Sequence, residues 1–291
     1  MNFKRGLYVD EAKYLLRSIE VIEGLYEHLL RFPSNDETRF FTLSDHENAV
    51  KSGDAEQAAF HLFFDAYNWL KFFWYTNLYK GTKICEGLID AYNNQNYLVW
   101  IILTRSLVEY SAVFYYYHNK VKQLQLDGPH FKGSQLETFE NLMLQYARGT
   151  RFNWDELLRG DMDSLAKTFD SVIDAPNAVN VLTAIKHLAK KDTRFRQMEV
   201  AYAMLSDFAH PNMASHSAVI GMPETPTHMH RSRLSRDPDS ARGEFLLAAT
   251  LPSAELALAN ILEVLIDASH LLGTWLALFD NNASVSIDLT A

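Results

Sequence analysis

Cysteine is nearly absent from this sequence. The 291 residues include only Cys85, so no disulfide can form within the chain. Small secreted scaffolds that depend on disulfides are therefore excluded. The first residues also lack the apolar run of a signal peptide, because Lys4 and Arg5 are followed closely by Asp10 and Glu11. We therefore expect a cytoplasmic protein.

The signatures of several common enzyme classes are missing as well. The chain has no GxxxxGK(S/T) phosphate loop, no Rossmann glycine fingerprint after a strand, no GxSxG elbow and no HExxH motif. These absences disfavour the common nucleotide hydrolases, dehydrogenases, serine hydrolases and zinc proteases. No internal repeat, coiled-coil heptad or low-complexity tract is present either.

Positive charge is in deficit. Lysine and arginine number 27 against 36 aspartates and glutamates, which gives a net charge of −9. No global positive field therefore gathers nucleic acid, although a local basic patch can still bind it.

Apolar side chains, by contrast, are plentiful. They make up 48% of the chain against 22% charged residues, which is ordinary globular composition. The length is close to the limit for one hydrophobic core. We predict a single all-α domain over residues 1–291, a bundle of about eight to ten helices. A small irregular or β insertion lobe is expected near 213–250.

Apolar residues recur at three- and four-residue steps in several segments, which predicts helices. These segments are 9–31, 58–79, 83–92, 97–124, 134–148, 153–172, 177–189, 193–210 and 252–279. We expect Gly81 to break the second helix and Pro252 to open the last one. Ser217–Ile220 and Glu244–Thr250 are the plausible strands.

The most apolar stretch, Tyr97–Tyr117, is about as long as a bilayer is thick. It carries Arg105 and Glu109 at its centre, where intramembrane charges are costly, so we interpret it as a buried core helix rather than a membrane span. Aromatic residues at 60–79 and the apolar final helix offer more apolar surface for burial than the core of one bundle needs. That surplus predicts a homodimer.

Arg105 and Glu109 form the first candidate site. Four residues apart, they share one face of a helix that is otherwise apolar. One interpretation is a structural ion pair, and the other is a functional pair.

Tyr202, Ser206 and His210 form a second polar set at four-residue steps, and Asn212 follows shortly after. A histidine at a helix C-terminus is favoured by the helix dipole when protonated, so His210 has a structural explanation too. In that explanation, Ser206 bonds back to a carbonyl one turn earlier.

The strings RSLVE at 105–109 and LSDFAHPN at 205–212 resemble a pattern of uncharacterised helical bacterial families that are distantly HEPN-like. The resemblance implies an effector acting on RNA or a nucleotide in defence or stress. It assigns phosphate stabilisation to Arg105 and proton transfer to His210, with Glu109 beside them. HEPN nucleases typically have four to six residues between an arginine and a histidine at a helix start, and here only Arg39 and His46, with six residues between them, have that spacing.

A locally basic loop follows the second string. Arg231 and Arg233 are suited to hold phosphates, and His228 and His230 to bind a ligand or metal. The alternative is a solvated surface hairpin, because no further ligands stand at zinc spacing. We predict no bound metal or cofactor here.

A different chemistry is indicated by two Asp-x-x-His strings, Asp207–His210 and Asp267–His270. Dimetal bundles use Glu-x-x-His at this spacing and add lone carboxylates from other helices. Candidates for those carboxylates are Asp65, Asp90 and Glu109. A non-enzymatic interaction or regulatory protein, with the polar residues as a buried network, is the remaining alternative.

Overall fold

A computed structural model describes residues 2–3, 13–126, 130–148, 179–210, 240–280 and 286–288. Over these ranges the predicted all-α, multi-helix fold is confirmed. The α-helices are α1 (Lys13–Leu30), α2 (Leu43–Lys51), α3 (Ala55–Asn93), α4 (Tyr97–Gln123), α5 (Gly133–Arg148), α6 (Val181–Ala189), α7 (Arg196–Ala209) and α8 (Ser240–Asp280). A 3-10 turn (Thr193–Phe195) and two strands, β1 (His130–Lys132) and β2 (Ser286–Asp288), complete the described chain.

Helix starts follow the capping chemistry of the sequence. At α2, Thr42 Oγ1 accepts the Asp45 backbone N–H, and the Asp45 carboxylate accepts the Thr42 N–H at 2.8 Å, which is a complete capping box. At α3, Asp54 Oδ1 accepts the Gln57 N–H at 3.0 Å, while the Asp54 N–H donates to Ser52 Oγ at 3.2 Å. Asp192 caps the 3-10 turn in the same way through the Arg194 N–H.

Helix α3 runs without a break through Gly81, so the prediction of two shorter helices is wrong. A Cβ built on Gly81 would lie 3.3 Å from Cγ2 of Ile261. The glycine therefore allows α3 to lie close to α8 at this point, and packing outweighs its low helix propensity.

Helix α8 begins at Ser240, well before Pro252, so Pro252 does not open it. Glu244–Thr250 is helical rather than the predicted strand. The buried side chains of this stretch recur at helical spacing, as do those that follow it: Leu246, Leu247, Thr250, Leu251 and Ala254. The Pro252 side chain is exposed, where water can hydrate the carbonyl that its missing N–H leaves unbonded.

The strands lie elsewhere in the chain. β1 pairs with β2 in parallel, with Phe131 opposite Ile287. Short strands of three residues carry no strong alternation, which is why the sequence pattern did not indicate them. The other predicted strand, Ser217–Ile220, lies outside the described residues, as do the helix predicted at 153–172 and the start of the one predicted at 177–189.

Contacts group the chain into two compact units. Unit 1 comprises Met1–Ser34, Leu78–Tyr115 and Val181–Val264; unit 2 comprises Asn35–Asn77, Tyr116–Asn180 and Leu265–Ala291. The prediction of one helical domain with an insertion lobe at 213–250 stays a prediction.

Each unit has a core built around tryptophans. In unit 1 the Trp100 indole N–H donates to Thr250 Oγ1 at 2.8 Å, and Asn260 donates to Ser111 Oγ at 2.9 Å. In unit 2 the Trp275 ring lies among Phe63, Phe131 and Phe139, with ring centroids 5.3 to 6.1 Å apart.

Within the described part of the chain, two helical segments, Tyr97–Gln123 and Leu246–Leu278, are long and apolar enough to cross a membrane by length and composition. Half of the most apolar window of the first and 28% of that of the second are buried inside the protein. The buried side chains of α4 include Trp100, Ile101 and Leu107. Burial of this kind is also found in the core helices of globular proteins.

Candidate functional site

The first part of the candidate site is a pair on α4, within unit 1. Arg105 Nε lies 3.1 Å from Glu109 Oε1, as their spacing of four residues predicts. Their side chains keep 25% and 29% of their exposure, respectively. Water therefore reaches this pair, although it stands on a mostly apolar helix.

Tyr202 of α7 joins this pair. Its hydroxyl donates to Glu109 Oε1 at 3.0 Å, and its ring centroid lies 5.6 Å from the Arg105 guanidinium carbon. Both distances are those of real contacts, a hydrogen bond and a cation–π interaction. The two polar sets of the sequence thus meet in unit 1, in what we call the Arg105 cluster (Arg105, Glu109 and Tyr202).

The Arg105 cluster holds its arginine firmly charged. The pKa of Arg105 lies above its usual value, because its side chain hydrogen-bonds Tyr202 and faces the Glu109 carboxylate, while burial acts in the opposite direction. The guanidinium carries five N–H groups. Among the described residues, only the Glu109 carboxylate and the Tyr202 hydroxyl face the guanidinium. Most of its N–H groups can therefore bind a further acceptor.

Two buried hydroxyl groups lie close in sequence to residues of the Arg105 cluster. Ser206 Oγ, one turn beyond Tyr202 on α7, has no hydrogen-bond partner among the described residues, and neither has Thr104 Oγ1 on α4. The expected bond from Ser206 back to a carbonyl is therefore not formed. Buried hydroxyls without partners are uncommon, so each is costly unless a ligand or water meets it.

His210 is the C-cap residue of α7. Its backbone N–H donates to the Ser206 carbonyl at 3.0 Å, and the residue is exposed. Its ring makes no hydrogen bond or ion pair with any residue that the structure describes. Contact between His210 and the Arg105 cluster thus stays a prediction. The other predicted site residues, Asn212, His228, His230, Arg231 and Arg233, lie outside the described residues.

Two of the dimetal candidates, Asp267 and Asp65, have other partners. Asp267 Oδ2 lies 2.7 Å from Lys122 Nζ and 3.4 Å from His118 Nε2, and Asp65 pairs with His46. Over the described ranges, no three side chains of the metal-binding types gather into a group. A dimetal bundle needs at least two such groups around its ions, so the described residues offer it no support.

Unit 2 contains a polar pair, His46 and Asp65, that the sequence pattern does not indicate. His46 Nε2 lies 2.9 Å from Asp65 Oδ2, while Asp65 Oδ1 accepts the Phe41 backbone N–H at 3.0 Å. The signal that would have helped is the capping box at Thr42, which places His46 in the first turn of α2. Its partner on α3 could not be read from spacing.

The Arg39 and His46 spacing, which HEPN nucleases use, does not bring these two side chains into one contact. Arg39 is strongly exposed, and its guanidinium pairs with Glu37 at 3.1 Å. His46 instead pairs with Asp65. The spacing therefore adds nothing to the Arg105 cluster.

Comparisons with known proteins give no relative for this chain: no family model, no curated protein and no solved structure matches it.

Proposed function

We propose that this protein is a HEPN-like effector that acts on RNA or a nucleotide, with Arg105, Glu109 and His210 as its working groups. The single observation that carries the proposal is the hydrogen bond from Tyr202 to Glu109. It joins the charged pair of α4, which water reaches, to α7, the helix whose C-cap residue is His210.

In this proposal Arg105 binds a phosphate. Arginine is well suited to that role, because its planar fork of N–H groups matches two phosphate oxygens at once. Glu109 Oε1 lies 3.1 Å from the guanidinium Nε, an ion-pair contact without a hydrogen bond at that nitrogen, and the Tyr202 ring lies against the guanidinium. Both are positioning residues, since they fix the direction in which the remaining N–H groups point.

His210 moves the proton. In RNA cleavage the ribose 2′-hydroxyl gives its proton to the imidazole and attacks the phosphorus, and the bond to the 5′-oxygen breaks. The proton then passes to that oxygen, so the products are a 2′,3′-cyclic phosphate and a 5′-hydroxyl. An imidazole suits this exchange, since its ordinary pKa is near neutrality.

The test is cleavage of a 5′-labelled RNA oligonucleotide by the full chain. His210→Ala is expected to slow cleavage by about 100-fold or more, the usual share of a general acid–base group. Arg105→Gln is expected to slow it by about 100-fold through lost charge stabilisation.

Arg196→Gln is the matched control, because Arg196 is an exposed arginine at the first residue of α7, the opposite end from His210, and is not part of the Arg105 cluster. It removes the same charge and should leave the rate unchanged. Cleavage that persists at full rate in His210→Ala would remove the enzymatic proposal.

A second candidate function, a non-enzymatic interaction or regulatory protein, is favoured by one observation. Glu109 neutralises Arg105 within the cluster, as in structural ion pairs. In that case the wild-type chain binds neither RNA nor ATP, and Arg105→Gln lowers only the stability of the fold.

The cytoplasm and a homodimeric state belong to the same proposal. An RNA or nucleotide ligand is found in the cytoplasm, and the exposed apolar side chains Leu98, Val99 and Ile102 on α4 provide a surface for a second copy. The proposal includes no membrane as a partner.

A further inference from the structure

A cleft in unit 2 is independent of the Arg105 cluster. It measures about 370 Å³, within the range of small-molecule sites. Helices α2, α3 and α5 supply its lining. Apolar and aromatic side chains dominate that lining: Val50, Ala58, Leu62, Ala66, Trp69 and Leu136.

The polar groups of this cleft are almost all acidic. Asp65, Glu137 and Glu140 line it together with a single imidazole, that of His46. The lining therefore stays negative whether or not His46 carries a proton. Among the residues that the structure describes, no lysine or arginine lines the cleft to balance these carboxylates.

The three carboxylates differ in their hydrogen-bond and ion-pair partners. Asp65 is fixed by His46 at 2.9 Å and by the Phe41 N–H at 3.0 Å. Glu137 and Glu140, three residues apart on α5, are exposed and have no ion-pair partner among the described residues. Two like charges on one helix face repel each other, so a cation placed between them would relieve that repulsion.

Trp69 adds a face suited to the same kind of ligand. An indole ring attracts a cation over its face and also packs against flat apolar groups. Phe40 supports this ring, with centroids 5.1 Å apart. The cleft thus combines an apolar, aromatic interior with a negative rim.

From this combination we propose that the cleft of unit 2 binds a small organic amine, a cation with one flat apolar ring. The ring occupies the apolar part beside Trp69 and Leu62, and the ammonium group lies between Glu137 and Glu140. His46 and Asp65 form the polar end of the cleft and set its shape.

The experiment compares three probes of one shape with the full chain: 2-phenylethylamine, the neutral 2-phenylethanol and the anionic phenylacetate. Binding is followed by ligand-observed NMR titration. The amine is expected to bind about tenfold more tightly than the alcohol, and the acid about tenfold more weakly than the alcohol. Equal affinities for the three probes would overturn the proposal.

Variants then locate the site. Glu137→Gln with Glu140→Gln should weaken amine binding about tenfold and leave the alcohol unchanged, because two rim charges of modest individual strength are lost. Glu47→Gln with Glu56→Gln is the control, since it changes the net charge equally at exposed positions outside the cleft lining.

Ala58→Leu tests the cleft itself, because the added side chain fills the space while every charge stays in place. It should abolish binding of both the amine and the alcohol. Amine binding that survives Ala58→Leu, or that falls equally in the Glu47 and Glu56 control, would place the amine on the surface and overturn the proposal. Thermal melting of each variant confirms that it is folded.

Discussion

At the scale of single residues, two threonines show what a buried hydroxyl contributes. Thr104 and Thr250 are both fully buried, and both lie in helices of unit 1. Thr250 Oγ1 accepts the Trp100 indole N–H at 2.8 Å and donates to the Leu246 carbonyl at 2.8 Å. Thr104 Oγ1 has no partner among the described residues. Equal burial thus accompanies opposite hydrogen-bonding states.

Replacing each threonine by valine keeps its shape and removes the hydroxyl. Thr104→Val should raise the free energy of unfolding by about 1 kcal/mol, because it removes an unsatisfied polar group. Thr250→Val should lower it by about 1 to 3 kcal/mol, because it leaves the Trp100 N–H without an acceptor. Urea denaturation of the two variants measures both. A loss of stability in Thr104→Val would show that its hydroxyl has a partner after all.

The contacts of the Arg105 cluster were predictable only in part. The pair of Arg105 and Glu109 follows from their spacing on one helix. The hydrogen bond from Tyr202 joins residues 93 positions apart, and periodicity gives the face of each helix but not which faces meet. The same reason hid the pair of His46 and Asp65.

At the scale of elements, α4 and α8 are linked within unit 2 by charge. Asp267 accepts from Lys122 at 2.7 Å and lies 3.4 Å from His118. Burial alone would raise the pKa of Asp267, but the hydrogen bonds from Lys122 and His118 outweigh it, so the pKa lies below the ordinary value of 3.8. The folded state therefore prefers the ionised carboxylate.

That preference fixes the sign of a pH effect. A carboxyl group whose pKa is lowered on folding adds stability above its unfolded pKa and loses it as the pH falls through the folded pKa. Asp267→Asn should thus cost up to about 1 kcal/mol above about pH 5, a modest figure because Asp267 and Lys122 are both about half exposed. The difference from the wild type should vanish at lower pH. Thermal melts from pH 2.5 to 7 test this, and a cost that grows toward acid pH would contradict it.

Helices were predictable where one apolar stripe recurs, and their ends were not. In α1 the buried residues Ile19, Ile22, Tyr26 and Leu29 follow the expected spacing. Gly81 and Pro252 were interpreted as breaks, because glycine and proline have low intrinsic helix propensity. Close packing against α8 offsets the low helix propensity of Gly81, and exposure to water does so for Pro252. The local sequence shows neither the packing nor the exposure.

At the scale of the whole molecule, exposed apolar side chains favour self-association. Leu98 and Ile102, one turn apart on α4, are 48% and 42% exposed. Exposed apolar patches of this kind commonly mark interfaces, and cyclic dimers are the commonest oligomers.

We expect a dimer of the 33.4 kDa chain in light scattering coupled to size-exclusion chromatography. Leu98→Gln with Ile102→Gln should shift the measured mass toward the monomer, because the apolar area available to a second copy shrinks. Leu30→Gln with Leu43→Gln is the control, as both leucines are exposed but distant in sequence from α4. A monomeric wild type would contradict the expected state.

The tryptophan hydrogen bonds have a consequence for protein synthesis. Trp100 donates to Thr250 and Trp74 to the Leu265 carbonyl, across 150 and 191 positions of the chain. While the ribosome has not yet released residues 250–265, both buried indoles lack their acceptors and neither unit can close its core. A nascent chain of this protein therefore waits with apolar helices uncovered, a state in which chaperones bind and aggregation competes with folding.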